Sequence, residues 1–178
     1  MPKQSVLITG CSEGGIGYAL AREFQSRGLH VFATARNPAK MAALENLPDV
    51  TLLALDVTSA SSIAGAVEVV KTRTNGRLTY LVNNSGSQYL SPILDTNIEM
   101  AKDMYEVNLW GVLRVIQAFA PLIIEDHGSI INIASIAGCL YPPWMGEFSH
   151  LFASRHCCLR DTDLKRLVRC FQIVRRHT

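Results

Sequence analysis

No apolar stretch in these 178 residues approaches the ~20 residues of a membrane-spanning helix. Met1-Pro2-Lys3-Gln4 leads straight into a short apolar segment, so no secretory leader is expected. The five cysteines are odd in number and lack metal-ligand spacing. Cys11 sits in a glycine cluster, and Cys139, Cys157, Cys158 and Cys170 are scattered late. This argues against a disulfide framework and a zinc site, and for free thiols in a reducing, cytoplasmic setting. Charge is scarce as well, at 18% of residues against 48% hydrophobic, which excludes a disordered chain. The length suffices for one sizeable core. A formal net charge of +2 singles out no partner, nucleic acid included, but the charge is unevenly spread. Residues 1–149 carry 10 basic and 13 acidic side chains, whereas residues 150–178 carry 7 and 2. The composition breaks near Phe148.

What is present begins with Val6-Leu7-Ile8-Thr9-Gly10-Cys11-Ser12-Glu13-Gly14-Gly15-Ile16-Gly17. A short apolar run stops at a glycine cluster and a helical pattern starts at once. Glycines let backbone approach a pyrophosphate closely, and the free N–H groups of a helix N-terminus face the anion. The alternation then continues. Strands are expected at Ser5–Thr9, His30–Thr34, Val50–Leu55, Leu78–Val82 and Ser129–Ala134. Helices are expected at Ile16–Arg27, Pro38–Asn46, Thr58–Arg73 and within Thr96–Glu125. Short apolar strands between helices imply a parallel sheet covered on both faces, with right-handed crossovers: a doubly wound α/β fold.

From residue 3 to about residue 147 the chain resembles the classical short-chain dehydrogenases/reductases. Thr9 to Gly17 is similar to that family's TGxxxGIG loop with one extra residue, placing Gly10, Gly15 and Gly17 at its glycines. Asp56-Val57 is similar to the pair that contacts the adenine ring. Asn83-Asn84-Ser85-Gly86 resembles the NNAG motif, with Ser for Ala. Asn108 in Val107-Asn108-Leu109-Trp110-Gly111 matches the active-site asparagine, and Ser135 after Ser129–Ala134 matches the catalytic serine. Within the family, the loop and Phe32-Ala33-Thr34-Ala35-Arg36 look most like fungal and yeast reductases related to NADPH-dependent 1-acyl-dihydroxyacetone-phosphate reductase.

The resemblance implies a Rossmann-like fold, incomplete at its C-terminal end, and hydride transfer between a nicotinamide cofactor and a ketone or alcohol. Thr9, Gly10, Ser12, Gly15, Ile16, Gly17, Arg36, Asp56, Val57 and Asn83 would hold the cofactor, and Ser135 and Asn108 would serve catalysis. Blander readings stand beside these. Asp56 could cap the next helix, Asn83 and Asn84 could be turn residues, and Ser135 could be a turn serine. Arg36 could be a solvated surface arginine. Asn108 is unfavourable inside a helix unless it has a purpose. Cofactor choice follows from charge. An NAD enzyme places an acid near the end of the second strand to bond the ribose 2′-OH. Here that strand ends in Ala35-Arg36, with no acid before Glu45. Arg36 can pair with a 2′-phosphate, so NADP(H) is expected.

The resemblance also implies a tyrosine that protonates the carbonyl oxygen and a lysine four residues on. Tyr18, Tyr80, Tyr89, Tyr105 and Tyr141 are followed four residues later by Arg22, Asn84, Ile93, Leu109 and Met145. The tyrosine's usual place, about thirteen residues after the serine, holds Phe148, and Phe152 follows. General acid–base catalysis contributes roughly 10²–10⁴ in rate. Two functions therefore stay open: an NADPH-dependent oxidoreductase, or a catalytically dead, truncated product that at most binds nucleotide.

Two segments are expected: a nucleotide-binding domain over residues 1–147 and a divergent basic tail over 148–178, read as translated out of the family's frame or from a retained intron. In the tail Leu164, Leu167, Val168 and Phe171 have helical spacing, which allows a basic amphipathic helix over Asp163–Val174 and peripheral membrane contact. No further strand pattern is read there, so the fifth strand would be an open edge prone to aggregation. The resemblance implies oligomers built with the long helix that is present and another that is absent, so a homo-oligomer is allowed but the truncation argues against it.

Overall fold

The computed structural model describes residues 3–135 together with Ala137, Pro143, Met145 and residues 168–171. The chain starts with β1 (Ser5–Thr9), followed by α1 (Ile16–Ser26), β2 (His30–Ala35), a 3₁₀ turn (Pro38–Leu44) and β3 (Val50–Ala54). Next come α2 (Ala60–Thr74), β4 (Tyr80–Asn83), α3 (Ile98–Tyr105), a π-helical segment (Glu106–Trp110), α4 (Gly111–Glu125), β5 (Ser129–Ile133) and β6 (Val168–Phe171).

The strands lie in the order β3-β2-β1-β4-β5-β6, and every pairing is parallel. Successive strand side chains point to opposite faces, which explains why β1 is apolar without alternation. Leu7, Phe32, Leu81 and Ile130 pack with Val70 of α2 and Phe119 of α4 on one face. Val6, Ile8, Val31, Ala33 and Val82 pack with Ala21 of α1 and with Met41 and Leu44 on the other. Both faces are covered, as a parallel sheet requires.

Local chemistry sets the element boundaries. Ser59 caps α2 by accepting from the Ser62 N–H, and Asn75 closes that helix in the left-handed region at φ 53°. Asn97 caps α3, its Oδ1 accepting from the N–H groups of Glu99 and Met100. Gly128 has no room for a side chain, since a Cβ would lie 2.5 Å from the carbonyl oxygens of Leu78 and Thr79.

Two expectations need correction. First, the helix expected within Thr96–Glu125 is present as α3, the π segment and α4, but as one stretch of 28 residues, Ile98–Glu125, it is longer and more apolar than the expectation of no span-length apolar stretch allowed. By length and composition this stretch could cross a membrane. Lys102, Asp103, Glu106 and Arg114 break the apolar run in the sequence, which is why its length was not read there. Its apolar face, with Val112, Val115, Phe119 and Ile123, is buried in the core. Second, residues 168–171 are not helical. They form β6, which pairs with β5 from Ile130↔Val168 to Ile133↔Phe171, so β5 is not an open edge. The helical spacing of Leu164, Leu167, Val168 and Phe171 is real in the sequence, but the unpaired backbone groups of β5 offer a competing partner for residues 168–171. Phe148, Phe152 and the rest of the expected tail helix lie outside the described residues.

Candidate cofactor site

The strand order reverses between β1 and β4, with β2 and β3 on one side and β5 and β6 on the other. In open α/β sheets, ligands bind outside the carboxyl ends of the strands at such a switch point. A crevice of about 410 Å³ lies there. It is lined by Gly10, Ser12, Gly15 and Ile16 of the first loop, by Arg36 after β2, by Asp56 and Val57 after β3, and by Asn84 to Ser87 after β4. Seven of the residues expected to hold a cofactor therefore meet in one cleft, although up to 47 positions separate them in sequence.

The first loop is shaped for close approach. Gly10 sits at φ +74°, and a Cβ there would lie 3.0 Å from Ser85 Cα. At Gly17 a Cβ would run into the Gly10 carbonyl oxygen and come within 2.5 Å of Asn84 Nδ2. The N-terminus of α1 at Gly15 has no side-chain cap and no acid in its first turn. Its backbone donors and positive dipole end are thus left for an anion in the crevice.

Thr9 and Asn84 lock the two loops together. The Thr9 hydroxyl, 1% exposed, accepts from the N–H groups of Asn84 and Ser85, each at 2.9 Å. Asn84 Nδ2 donates to the carbonyls of Thr9 at 2.8 Å and Gly10 at 2.9 Å. Thr9 and Gly17 therefore support the cleft from behind rather than line it. Cys11 is fully buried, and burial pushes its thiol up to about 12, so it stays protonated.

Asn108 lies within the π segment and is fully buried. Its Nδ2 donates to the Ser87 carbonyl at 2.7 Å, and its Oδ1 accepts from the Ser87 N–H at 2.8 Å. The purpose demanded of an asparagine inside a helix is visible here: both its polar atoms clamp the loop that forms one wall of the crevice. Asn83 turns away from the cleft and donates to Asn132 Oδ1 at 2.9 Å. Among the described residues Asn83 Oδ1 and Asn132 Nδ2, both buried, have no partner. Ser135 lies just past β5, at the same carboxyl edge of the sheet, and its hydroxyl accepts from the Ala137 N–H at 3.2 Å.

Asp56 is not the cap of α2; Ser59 is. The Asp56 carboxylate accepts from the Thr58 N–H and hydroxyl, at 2.9 and 2.7 Å, and these two bonds hold its pKa below the usual carboxylate range, with Arg36 adding a smaller pull. A lowered folded-state pKa stabilises the fold above the ordinary carboxyl range, and this stability is lost as pH falls through the lowered value. The stability gap between wild type and Asp56→Asn is therefore expected to be open at neutral pH and to close on acidification. Urea unfolding across an acid series reads it; a gap that persists unchanged would refute the linkage.

Asn84, Ser85, Gly86 and Ser87 line the crevice but were not assigned to it from sequence. The signals available were the Asn83-Asn84-Ser85-Gly86 motif, of which only Asn83 was taken as a cofactor residue, and its position immediately after β4 at the switch point.

Comparisons with known proteins agree with this geometry. The short chain dehydrogenase family profile matches residues 4–150. A short-chain dehydrogenase of Penicillium ochrochloron (ptmH) is 51% identical over 149 residues, covering 84% of this chain and 55% of that protein. The NADPH-dependent 1-acyldihydroxyacetone phosphate reductase of Schizosaccharomyces pombe is 44% identical over 133 residues, covering 74% and 44%. A crystal structure of a short chain dehydrogenase from Burkholderia cenocepacia, in complex with NADP, superposes with a TM-score of 0.83 at 26% identity, covering 97% of this chain and 71% of that one. The chain spans about half the length of the curated relatives it matches. A switch-point crevice behind a glycine loop, a parallel doubly wound sheet and a profile match over most of the length lead to one assignment: the chain belongs to the short-chain dehydrogenase family.

Proposed function

We infer that residues 1–147 carry the cofactor half of an NADPH-dependent oxidoreductase that moves hydride between nicotinamide and a ketone or alcohol. The observation that carries this reading is Arg36. It lies in the crevice directly after β2, with no acid at the strand end, and makes no ion pair among the described residues. A guanidinium there suits a ribose 2′-phosphate, which NADPH has and NADH lacks. The residues present fit the cofactor. The glycine loop leaves a cradle that a Cβ would fill, and the uncapped α1 N-terminus supplies donors for a pyrophosphate.

When bound, the cofactor would supply the hydride. Gly10, Ser12, Gly15 and Ile16 would hold its phosphates, Asp56 and Val57 its adenine end, and Asn83 would brace the strand beside it. Ser135 would donate to the substrate oxygen, and Asn108 would position the loop through Ser87. The relatives' names support this reading through the reductase of Schizosaccharomyces pombe, which is NADPH-dependent. A second reading, a polypeptide that binds cofactor without turnover, is favoured by one observation: no tyrosine in these 178 residues has a lysine four positions on.

Fluorescence titration with NADPH and NADH tests both readings. Wild type should bind NADPH more tightly, and Arg36→Ala should weaken NADPH roughly tenfold or more, in line with one lost charged pair, while leaving NADH unchanged. Equal loss for both cofactors would overturn the role of Arg36. Turnover of a ketone would overturn the second reading.

A further inference from the structure

A second cavity, of about 480 Å³, opens at the other end of the sheet, where the strands begin and α2 and α4 end. Lys3, His30, Arg73, Arg77, Thr79 and Asp126 are among its lining residues. Three cations converge on it. The single lining carboxylate, Asp126, is engaged by the Thr79 hydroxyl, which donates to it at 2.6 Å. Lys3 pairs with Asp49 at 2.5 Å and Arg77 with Glu125 at 3.4 Å; the four side chains are 44–62% exposed. Pairs of that kind contribute at most about 1 kcal/mol and exchange readily for a better partner. Arg73 makes no ion pair among the described residues.

We propose that this cavity is a second ligand site, distinct from the cofactor crevice, that takes a phosphate-bearing small molecule on Lys3, Arg73 and Arg77. The ligand class follows from three observations. A guanidinium fork suits a phosphate oxyanion bidentately. Ser5, Thr74 and Asn75 also line the cavity, and the exposed Asn75 amide suits the polar body of such a molecule. The cavity is as large as the crevice across the sheet, larger than a bare oxyanion fills, and within the ordinary range of small-molecule sites.

His30 provides a reporter. Burial holds its imidazole below the ordinary histidine range; Asp49 opposes the shift, and Arg73 and Lys3 reinforce it. A dianion seated between Arg73 and Lys3 should cancel their push and raise the His30 pKa.

The test is a proton NMR titration of the histidine rings in the full 178-residue chain, held saturated with NADPH. The His30 signal is assigned with His30→Asn. The probes are inorganic phosphate and ribose 5-phosphate, with potassium chloride at matched ionic strength as control. The expected result is a saturable shift of the His30 signal and a raised pKa with at least one phosphate probe. Arg73→Ala and Arg77→Ala, both on the open rim, should each weaken that binding about tenfold while leaving NADPH affinity unchanged. The tighter probe identifies whether the site takes the free ion or a phosphomonoester. Three results would overturn the proposal: no saturable shift with either phosphate probe, the same shift with chloride, or binding indifferent to both arginine variants. None of these bears on NADPH affinity, so the cofactor reading stands or falls separately.

Discussion

Replacing Gly17 by alanine is expected to abolish useful cofactor binding and to destabilise the fold by about 3 kcal/mol. The added methyl has nowhere to go. On one side lies the Gly10 carbonyl oxygen, and on the other Asn84 Nδ2, whose two bonds to Thr9 and Gly10 tie the loops together. Neither obstacle is the free end of a flexible side chain. Relief requires α1 to move off the sheet or the Asn84 bonds to break, and either movement carries the crevice floor with it. Urea unfolding should show the lost stability, and the NADPH titration a weakening of roughly a hundredfold, which corresponds to about 2.7 kcal/mol. Gly14 is the control. Unlike the helical Gly17 it has a positive φ, of +76°, but a Cβ there meets nothing within 4 Å. Gly14→Ala should cost only the backbone strain of the left-handed region, about 1 kcal/mol. If the two variants behaved alike, steric closure beneath the loop would not be the cause.

The second large effect belongs to Asn108. Asn108→Leu keeps the approximate size of the side chain and removes both of its bonds, leaving the Ser87 N–H and carbonyl without their partner. Ser87 is exposed, so water takes over part of the lost bonding; at about 0.5–1.5 kcal/mol per hydrogen bond, a total of about 1–3 kcal/mol is expected. Amide hydrogen exchange at Ser87 separates this from a general loosening. Exchange there should accelerate by more than at Leu7 or Leu81 in the central strands. Uniform acceleration would mean that Asn108 matters only through global stability.

The central fold was legible because its signals are local. Each of β1 to β5 is a short apolar run bounded by glycine, asparagine or aspartate, and the observed limits agree with the expected ones to within about two residues. The glycine loop was legible for the same reason. The clamps were not. Thr9 reaches Asn84 across 75 positions and Asn108 reaches Ser87 across 21, and nothing in either segment specifies the other. The π segment was hidden too, because one extra residue per turn leaves the apolar spacing of the long helix nearly intact. Met100 fits the helical stripe on paper, yet it is half exposed, whereas Met104 in the same α3 is buried. At β6 the sequence was ambiguous rather than silent. Val168 and Phe171 satisfy a helical period, and the edge of β5 decides between the two structures.

The strand order bears on how the chain comes into being. β1 is synthesised first, yet it lies inside the sheet, paired to β2 on one side and to β4 on the other. A nascent chain can assemble β1, β2 and β3 with their connecting helices, but one edge of β1 stays bare until Tyr80–Asn83 leaves the ribosome. Thr9 waits equally long for the two amide donors of Asn84 and Ser85. During that interval Val6, Leu7 and Ile8 form a flat apolar edge, the kind of surface that recruits foreign strands. Translation speed between residues 10 and 80, and chaperone access over the same window, should therefore govern how much of this protein reaches its native form.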